Sequence, residues 1–198
     1  TVRVRWSVPA WLAGGRLVSV SDSVSDWTST SDSTVTSDSE KALVTYRELL
    51  AKVDAKFGEI ARAHPQSIEC RLGCHSCCKP GLTVSALEAE NLRLFFTARP
   101  EARTRSAAIR RDDPHQGTRC KLLDSAGSCV AYEARPIVCR SHGVPLRIKL
   151  DSAGPERLDV CPLNFSGESL EALPAGDAIN LETLNTLLSL LNRQFSGD

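Results

Sequence analysis

Apolar residues recur at intervals of three and four over residues 43–60, which is the pattern of one buried face on an α-helix. Ser37 and Glu40 stand three residues apart just before this stretch, and that spacing predicts a capping box at a helix beginning at Ser37. Pro65 cannot continue a helix, so the helix should end just before it. The predicted buried face consists of Leu43, Tyr46, Leu50, Val53, Phe57 and Ile60.

The same spacing predicts three further helices. Ser85 and Glu88 form a second capping-box pattern before a helix that ends ahead of Pro100. Residues 101–111 suggest a shorter, arginine-rich helix, and residues 180–195 an amphipathic closing helix. The apolar positions are Leu87, Leu94, Phe95 and Phe96 in the second helix and Leu181, Leu184, Leu187, Leu188, Leu190 and Leu191 in the last.

Turn-forming residues between short apolar runs predict a β-hairpin in the middle of the chain. The turn over residues 124–127 would join two arms that carry Cys120 and Cys129, so these two thiols should lie close together. Pro136 suits the first position of a short helix that leads to Cys139.

A second hairpin is predicted from residues 144–150 and 157–160, joined by a turn over residues 151–155. Its second strand would deliver Cys161. The pattern as a whole predicts a single, predominantly helical α+β domain with two short β-hairpins and an irregular cysteine-rich core.

The segment before the first helix has a different composition. Over residues 19–39, Ser and Thr form the majority and are interleaved with Asp, so little apolar surface is available to offset the entropy of ordering. We therefore predict a disordered leader over residues 1–39 and a cysteine-cluster domain over residues 40–198. The valines and Trp27 leave a short extended strand possible within the leader.

Overall charge gives no sign of a nucleic-acid or membrane partner. The formal net charge is zero and 24% of residues are charged. Residues 99–119 form a basic patch, but aromatic residues are not interleaved with its arginines, so nucleic-acid binding is not favoured. No run approaches the roughly 18 apolar residues of a membrane span. The apolar piece Val8–Leu12 is too short for a signal peptide, so we expect a cytoplasmic protein, where thiols are kept reduced.

The eight cysteines are the chemical signal of the chain. Four of them fall within nine residues, at Cys70, Cys74, Cys77 and Cys78, and the other four are Cys120, Cys129, Cys139 and Cys161. Disulfides, a metal or iron–sulfur site, and redox or nucleophilic thiols could each explain them. A reducing compartment and the adjacent pair at 77 and 78 disfavour a disulfide framework. A thioredoxin-like dithiol is disfavoured because no βαβ pattern surrounds the cysteines.

Metal binding is favoured because Cys-x2-Cys spacing lets one tight turn present two sulfurs to one centre, as Cys74 and Cys77 would. The side chains of adjacent residues diverge, so Cys78 suggests a second centre, part of a cluster, or a thiol with another role. A zinc ion or an oxidised four-iron cluster held by four thiolates keeps a charge of about −2, which nearby cations could offset. The candidate cations are Arg71, Lys79, Arg119, Lys121 and Arg140.

Other polar residues have simpler explanations. His75 and His142 could be ligands or activate a thiolate, but hydrogen bonding to neighbours is the simpler role. His64 suits the last turn of a helix, where a cation interacts favourably with the helix dipole. The capping geometry explains Glu88 without catalysis, and Glu90 fits a solvated helix face.

Three motifs together resemble the YkgJ-type cysteine-cluster proteins, of the CxxCxxCC type. They are C-x3-C-x2-C-C from Cys70, CVAYEARPIVCR from Cys129, and CPLNF from Cys161, and they cover about half the chain. The most specific part is YEARPIVCR, in which Arg135-Pro136 and Cys139-Arg140 stand where the family has them. The run Arg140-Ser141-His142 departs from the more usual apolar residue after the arginine, which leaves a ligand role for His142 open.

The resemblance implies a zinc- or iron-chelating domain in which all eight family cysteines are present as metal ligands, with an iron–sulfur cluster such as [4Fe–4S] as one form of the metal. Some relatives are labelled iron–sulfur oxidoreductases, and a flagellin lysine N-methylase has a similar cysteine motif, so an iron–sulfur-dependent or methylase-like enzyme is the alternative. The sequence shows no Gly-rich nucleotide or S-adenosylmethionine loop and no legible catalytic triad. The partner that the sequence implies is therefore a metal ion.

Overall fold

The computed structural model describes residues 17–19, 36–112, 117–149 and 154–197. It confirms a predominantly helical α+β domain with a small sheet. The helices are α1 (Ser37–Ala63), α2 (Ala86–Ala98), α3 (Pro100–Asp112), α4 (Ile137–Ser141) and α5 (Leu181–Ser196). The strands are β1 (Leu17–Ser19), β2 (Thr83–Ser85), β3 (Leu146–Lys149), β4 (Glu156–Asp159) and β5 (Ile179–Asn180).

The first helix begins where the sequence predicts, but a different residue caps it. Thr36 is the N-cap, and its hydroxyl accepts a hydrogen bond from Ser39 N at 3.2 Å. The capping box predicted from Ser37 and Glu40 is therefore wrong by one residue, because Ser37 already has helical geometry and cannot cap. The predicted apolar face does pack into the core, where Tyr46, Leu50, Val53 and Ile60 are buried and Leu43 and Phe57 partly so.

The second helix carries the predicted capping box in full. The Ser85 hydroxyl accepts from Glu88 N, and the Glu88 carboxylate accepts from Ser85 N at 2.9 Å. Leu87 and Phe96 are buried as predicted, and Leu92 is buried with them. The third helix follows at once, beginning at Pro100.

The sheet places the second predicted hairpin beside the last helix. Antiparallel β3 and β4 pair from Leu146 opposite Asp159 to Lys149 opposite Glu156, and β5 pairs in parallel with β3. The turn predicted over residues 151–155 lies mostly outside the described residues. Because β5 runs directly into α5, whose N-cap is Asn180, the sheet fixes the start of the closing helix.

The core consists of two groups of buried apolar residues. The larger joins α1 to α5 and the sheet, and includes Leu87, Ile137 and Phe165. The smaller joins α2 and α3 to the 122–134 region. Its members are Leu92, Phe96, Ala102, Leu122, Val130, Ala131 and Ala134, with Cys120 and Cys129 packed against it. The thiols of the central hairpin therefore lie on the smaller core.

Most of the predicted leader lies outside the described residues. Its described parts are Leu17–Ser19, which pairs antiparallel with Thr83–Ser85, and residues 36–39, which form the cap and first turn of α1. None of the helices in the described ranges is both long enough and apolar enough to cross a membrane.

Candidate metal centre

The eight cysteines come from four segments of the chain, and each is a free thiol. Cys70 to Cys78 lie in the turns between α1 and β2, Cys120 and Cys129 in the central hairpin, Cys139 in α4, and Cys161 just after β4. Within the described ranges, no three Cys, His, Asp or Glu side chains converge closely enough to hold an ion. A closed coordination sphere would therefore require the thiol side chains to move closer together.

Asn164 connects the first cysteine to the last. Its side-chain amide donates to Cys70 Sγ at 3.3 Å and to the Gly143 carbonyl, and its backbone N–H donates to Cys161 O at 2.8 Å. Asn164 Oδ1 accepts from Glu69 N at 2.9 Å, so the buried amide is fully engaged. Cys70 and Cys161 are thus held near each other, although 90 residues separate them in sequence.

Gly143 makes room for the Cys70 sulfur. An ideal Cβ at this position would lie 2.8 Å from Cys70 Sγ, and its φ of +117° also favours glycine. Burial raises the pKa of the Cys70 thiol, with the Asn164 hydrogen bond opposing and the nearby thiols of Cys74, Cys161 and Cys77 adding. Cys70 is exposed as a whole residue, but its sulfur packs against protein.

The turn with Cys74 and Cys77 packs on the loop of the central hairpin. Cys74 N donates to Arg71 O and Cys78 N donates to His75 O, both at 2.9 Å, so two successive turns carry the cysteines of this stretch. His75 lies beside this turn, and its ring is so close to Gly127 that a Cβ there would meet it at 2.4 Å. The structure therefore places His75 against the hairpin loop.

The predicted hairpin between Cys120 and Cys129 forms, but it is held by a single bridge between Leu123 and Cys129 and by its turn. Asp124 Oδ1 accepts from Ala126 N at 3.0 Å and from Ser128 N at 2.8 Å, which fixes the loop. Cys120 N donates to Cys78 O at 3.0 Å. That bond attaches the first cysteine stretch directly to the hairpin.

Cys139 is positioned by the five-residue helix α4. Pro136 is its N-cap, so the helix begins at Ile137, one residue later than the sequence predicts. The Pro136 carbonyl accepts a hydrogen bond from Cys139 N at 3.0 Å. The buried Glu88 carboxylate accepts from Ile137 N at 3.1 Å, which ties the start of α4 to α2. Glu88 thus both caps α2 and positions the helix that carries Cys139.

The adjacent thiols of Cys77 and Cys78 differ in their ionisation. The hydrogen bond between them lowers the pKa of Cys77 to about 6, helped by the charges of His142 and Arg135 against the effect of burial. The same hydrogen bond and burial raise the pKa of Cys78, and the thiols of Cys77, Cys120 and Cys139 add to the rise. Of these two cysteines, Cys77 therefore loses its proton more readily and becomes a thiolate, the form that binds metal.

Burial is the main influence on the pKa of the remaining thiols near the smaller core. It raises the pKa of Cys129 to about 11 and that of Cys139 to about 12, in both cases against the opposing charge of Arg135. It raises the pKa of Cys120 as well. Metal binding at these positions must displace protons, as is general for thiolate ligands.

Several of the polar residues predicted from the sequence form ion pairs or hydrogen bonds with residues other than the cysteines. Arg140 is buried, pairs with Asp54, and donates to the Glu133 carbonyl and, at 2.8 Å, to the Arg135 carbonyl. Arg71 forms an exposed pair with Glu69. His64 bonds Asp177 at 2.8 Å, and Glu90 binds Arg93 through two 2.7 Å hydrogen bonds.

Two residues near the thiols were not singled out as functional from the sequence. Asn164 and Arg135 both lie in the motifs quoted above, CPLNF and YEARPIVCR, which was the only signal for them. Arg135 stacks over the Tyr132 ring at 3.7 Å, and its charge opposes the pKa rise of two buried thiols. His142 lies near Cys77, whose pKa its charge helps to lower.

The donor set fits zinc or iron, because soft thiolates select these metals. Comparison with known families gives a match over residues 69–159 to the family CxxCxxCC, described as "Putative zinc- or iron-chelating domain". Seven of the eight cysteines fall in that range, and Cys161 lies two residues beyond it. Searches of curated proteins and of solved structures found no match. The match confirms, over residues 69–159, the resemblance to the CxxCxxCC family that the cysteine motifs predict.

Proposed function

We propose that this chain is a metal-binding protein that holds zinc or iron through the thiolates of its eight cysteines. The observation that carries the proposal is the direct attachment of separate cysteine segments to one another. The backbone N–H of Cys120 donates a hydrogen bond to the carbonyl of Cys78. Asn164 donates hydrogen bonds from its side chain to the Cys70 sulfur and from its backbone to the Cys161 carbonyl. The proposed ligands are Cys70, Cys74, Cys77, Cys78, Cys120, Cys129, Cys139 and Cys161.

Several features of the protein support this role. Arg135 lies near the thiols and can offset part of the charge that four thiolates leave on a bound ion. The turns that carry the ligands have little regular structure of their own, so a bound metal would contribute to their folding as a cross-link. We also propose a cytoplasmic location, where the thiols stay reduced and available to the metal.

Anaerobic purification followed by metal analysis and an absorption spectrum tests the proposal. Zinc gives stoichiometric metal in colourless protein, whereas an iron–sulfur cluster gives iron with sulfide and broad visible absorption that bleaches on reduction. The second outcome would favour the iron–sulfur enzyme alternative. Protein that contains neither zinc nor iron after anaerobic preparation would contradict the proposed function.

Substitution of two ligands from different segments tests the site. We expect Cys74→Ser and Cys139→Ser each to lower metal content and thermal stability together, because the metal contributes to folding. Ser76→Ala is the matched control, since Ser76 is an exposed neighbour in the same loop. Unchanged metal content in both cysteine variants would show that the ligands are wrongly assigned.

A further inference from the structure

We propose that Asn164 is a positioning residue of the metal centre, whose side-chain amide donates a hydrogen bond to the Cys70 sulfur while that sulfur binds metal. The inference rests on the proposed metal-binding function and adds to it a residue that controls how tightly the metal is held. Asn164 acts through Cys70 and does not bind the metal itself.

The partners of Asn164 fix which end of its amide faces the sulfur. Oδ1 accepts a hydrogen bond from the backbone N–H of Glu69 at 2.9 Å, and Nδ2 donates to the carbonyl of Gly143. A backbone N–H can only donate and a carbonyl can only accept, so turning the amide around would lose both bonds. The atom that lies 3.3 Å from Cys70 Sγ is therefore the donor Nδ2.

The backbone around Asn164 is held on both sides. Asn164 N donates to Cys161 O at 2.8 Å, and Phe165 N donates to Ser67 O at 2.7 Å. Phe165 has a φ of +52°, in the left-handed region that bulky side chains rarely adopt, and burial of its ring in the larger core holds it there. Asn164 is itself buried, at 2% exposed. The position of the donor is therefore set by contacts that do not involve a metal.

The space beside Gly143 brings the donor and the sulfur together. A Cβ added to Gly143 would lie 2.8 Å from Cys70 Sγ, 3.3 Å from the Phe57 ring and 3.6 Å from Asn164 Nδ2. The sulfur, the ring and the amide thus surround the same small space. In this space the amide can approach the sulfur because residue 143 has no side chain.

A donor in this position stabilises a metal-bound thiolate. Such a sulfur keeps negative charge, and an N–H aimed at it stabilises that charge in a site shielded from water. Residues that orient metal ligands through hydrogen bonds typically contribute about 10–100-fold to metal affinity. In an iron–sulfur centre, hydrogen bonds to the sulfurs also help to set the reduction potential.

Asn164→Asp tests the role with little change in shape, because it keeps an acceptor for the Glu69 N–H and replaces the Nδ2 donor with an oxygen. Asn192→Asp is the matched control, since Asn192 is also buried and its Oδ1 accepts from the Leu87 N–H in the same way. We expect zinc affinity, measured by competition with a chromophoric chelator, to be about 10–100-fold weaker in Asn164→Asp. Asn192→Asp should lose much less.

Cobalt(II) bound in place of zinc gives a readout that a loss of fold stability would not move. Without its hydrogen bond, the sulfur holds its electrons at higher energy. At saturating cobalt, the sulfur-to-cobalt charge-transfer absorption of Asn164→Asp should therefore move to longer wavelength, and that of Asn192→Asp should keep the wild-type position. If the protein holds an iron–sulfur cluster, the equivalent readout is a lower reduction potential in Asn164→Asp alone.

NMR of the wild-type full-length chain tests the hydrogen bond without any variant. When zinc is added to metal-free protein, we expect one side-chain amide proton of Asn164 to move downfield together with the β-protons of Cys70. An Asn164 amide whose resonances do not change on zinc binding would overturn the inference.

The two proposals fail in different ways. Wild-type protein that binds neither zinc, iron nor cobalt would contradict the metal-binding function itself. Wild-type protein that binds metal, with Asn164→Asp equal to Asn192→Asp in affinity, would overturn only the role of Asn164. Weaker binding by Asn164→Asp with an unshifted absorption or potential would also overturn that role, because it would show that Asn164 serves the fold alone.

Discussion

Gly143 allows the Cys70 sulfur to lie against the backbone that follows α4. A side chain there would collide with this sulfur and would also strain a backbone whose φ is +117°. We expect Gly143→Ala to lower the free energy of unfolding by about 1–3 kcal/mol and to lower metal content by displacing Cys70. Metal analysis and urea denaturation measure both effects.

Gly176→Ala is the control for that substitution, because nothing lies within 4 Å of the added Cβ. It should leave metal content unchanged. If Gly143→Ala also retains full metal content, Cys70 does not need its observed position in order to bind.

Glu88 is a buried carboxyl whose ionisation should affect stability. Burial raises its pKa above 4.5, and hydrogen bonds from Ser85, Ile137 and Tyr46 oppose the rise. A group with a raised pKa in the folded state stabilises the fold at low pH, and that contribution is lost as pH rises through the folded pKa. We therefore expect the unfolding free energy of the wild type, minus that of Glu88→Gln, to fall as pH rises above 4.5.

Urea denaturation of both proteins across this pH range measures the difference. The two proteins share the same cysteines, so the titration of the thiols largely cancels. A difference that grows with pH would mean that the hydrogen bonds to the ionised carboxylate outweigh its burial.

The sequence identified the proposed ligands by residue type and spacing, but not their neighbours. Cysteine is chemically distinctive, so its positions stand out without a fold. Asn164 and Arg135 have common side chains, and their roles depend on contacts with residues far away in sequence, such as Cys70. The grouping of the thiols likewise depends on tertiary contacts, such as the bond from Cys120 to Cys78.

At the scale of elements, α4 is too short to be stable alone and depends on its contacts. Arg140 supplies several of them through Asp54 of α1 and the carbonyls of Glu133 and Arg135. We expect Arg140→Ala to lower the free energy of unfolding by about 2–3 kcal/mol, because the charged hydrogen bonds of this buried guanidinium are lost. Arg140→Lys should recover only part of this, since lysine lacks the forked donor geometry.

Chemical denaturation with metal analysis tests this role, and Arg103→Ala, an exposed arginine of α3, is the control. Equal stability of Arg140→Ala and Arg103→Ala would show that α4 is held by apolar packing alone.

The helices were predictable because their apolar periodicity and caps are local signals. The boundaries moved by one residue where two possible caps stand together, as Thr36 and Ser37 do, and only the backbone geometry decides between them. The strand β5 has two residues, and its parallel pairing with β3 depends on where the closing helix packs. Such a short, non-local pairing leaves no periodic pattern in the sequence.

At the scale of the molecule, the thiols of the central hairpin rest on the smaller apolar core, while α1, α5 and the sheet share the larger one. We expect a chelator to destabilise the region around residues 117–141 first, because the smaller core buries less apolar surface. Amide hydrogen exchange should show early loss of protection there, with α1 and α5 still protected. Uniform loss of protection would mean that the two cores unfold as one unit.

The link between Cys70 and Cys161 through Asn164 has a consequence for the unfolded chain. A metal that binds both thiols closes a loop of 90 intervening residues. Closing a loop of that size reduces the conformational entropy of the unfolded chain, which raises its free energy by about 4–5 kcal/mol. Protein denatured with its metal retained should therefore be more compact than the metal-stripped chain, and its denaturant m-value should be smaller.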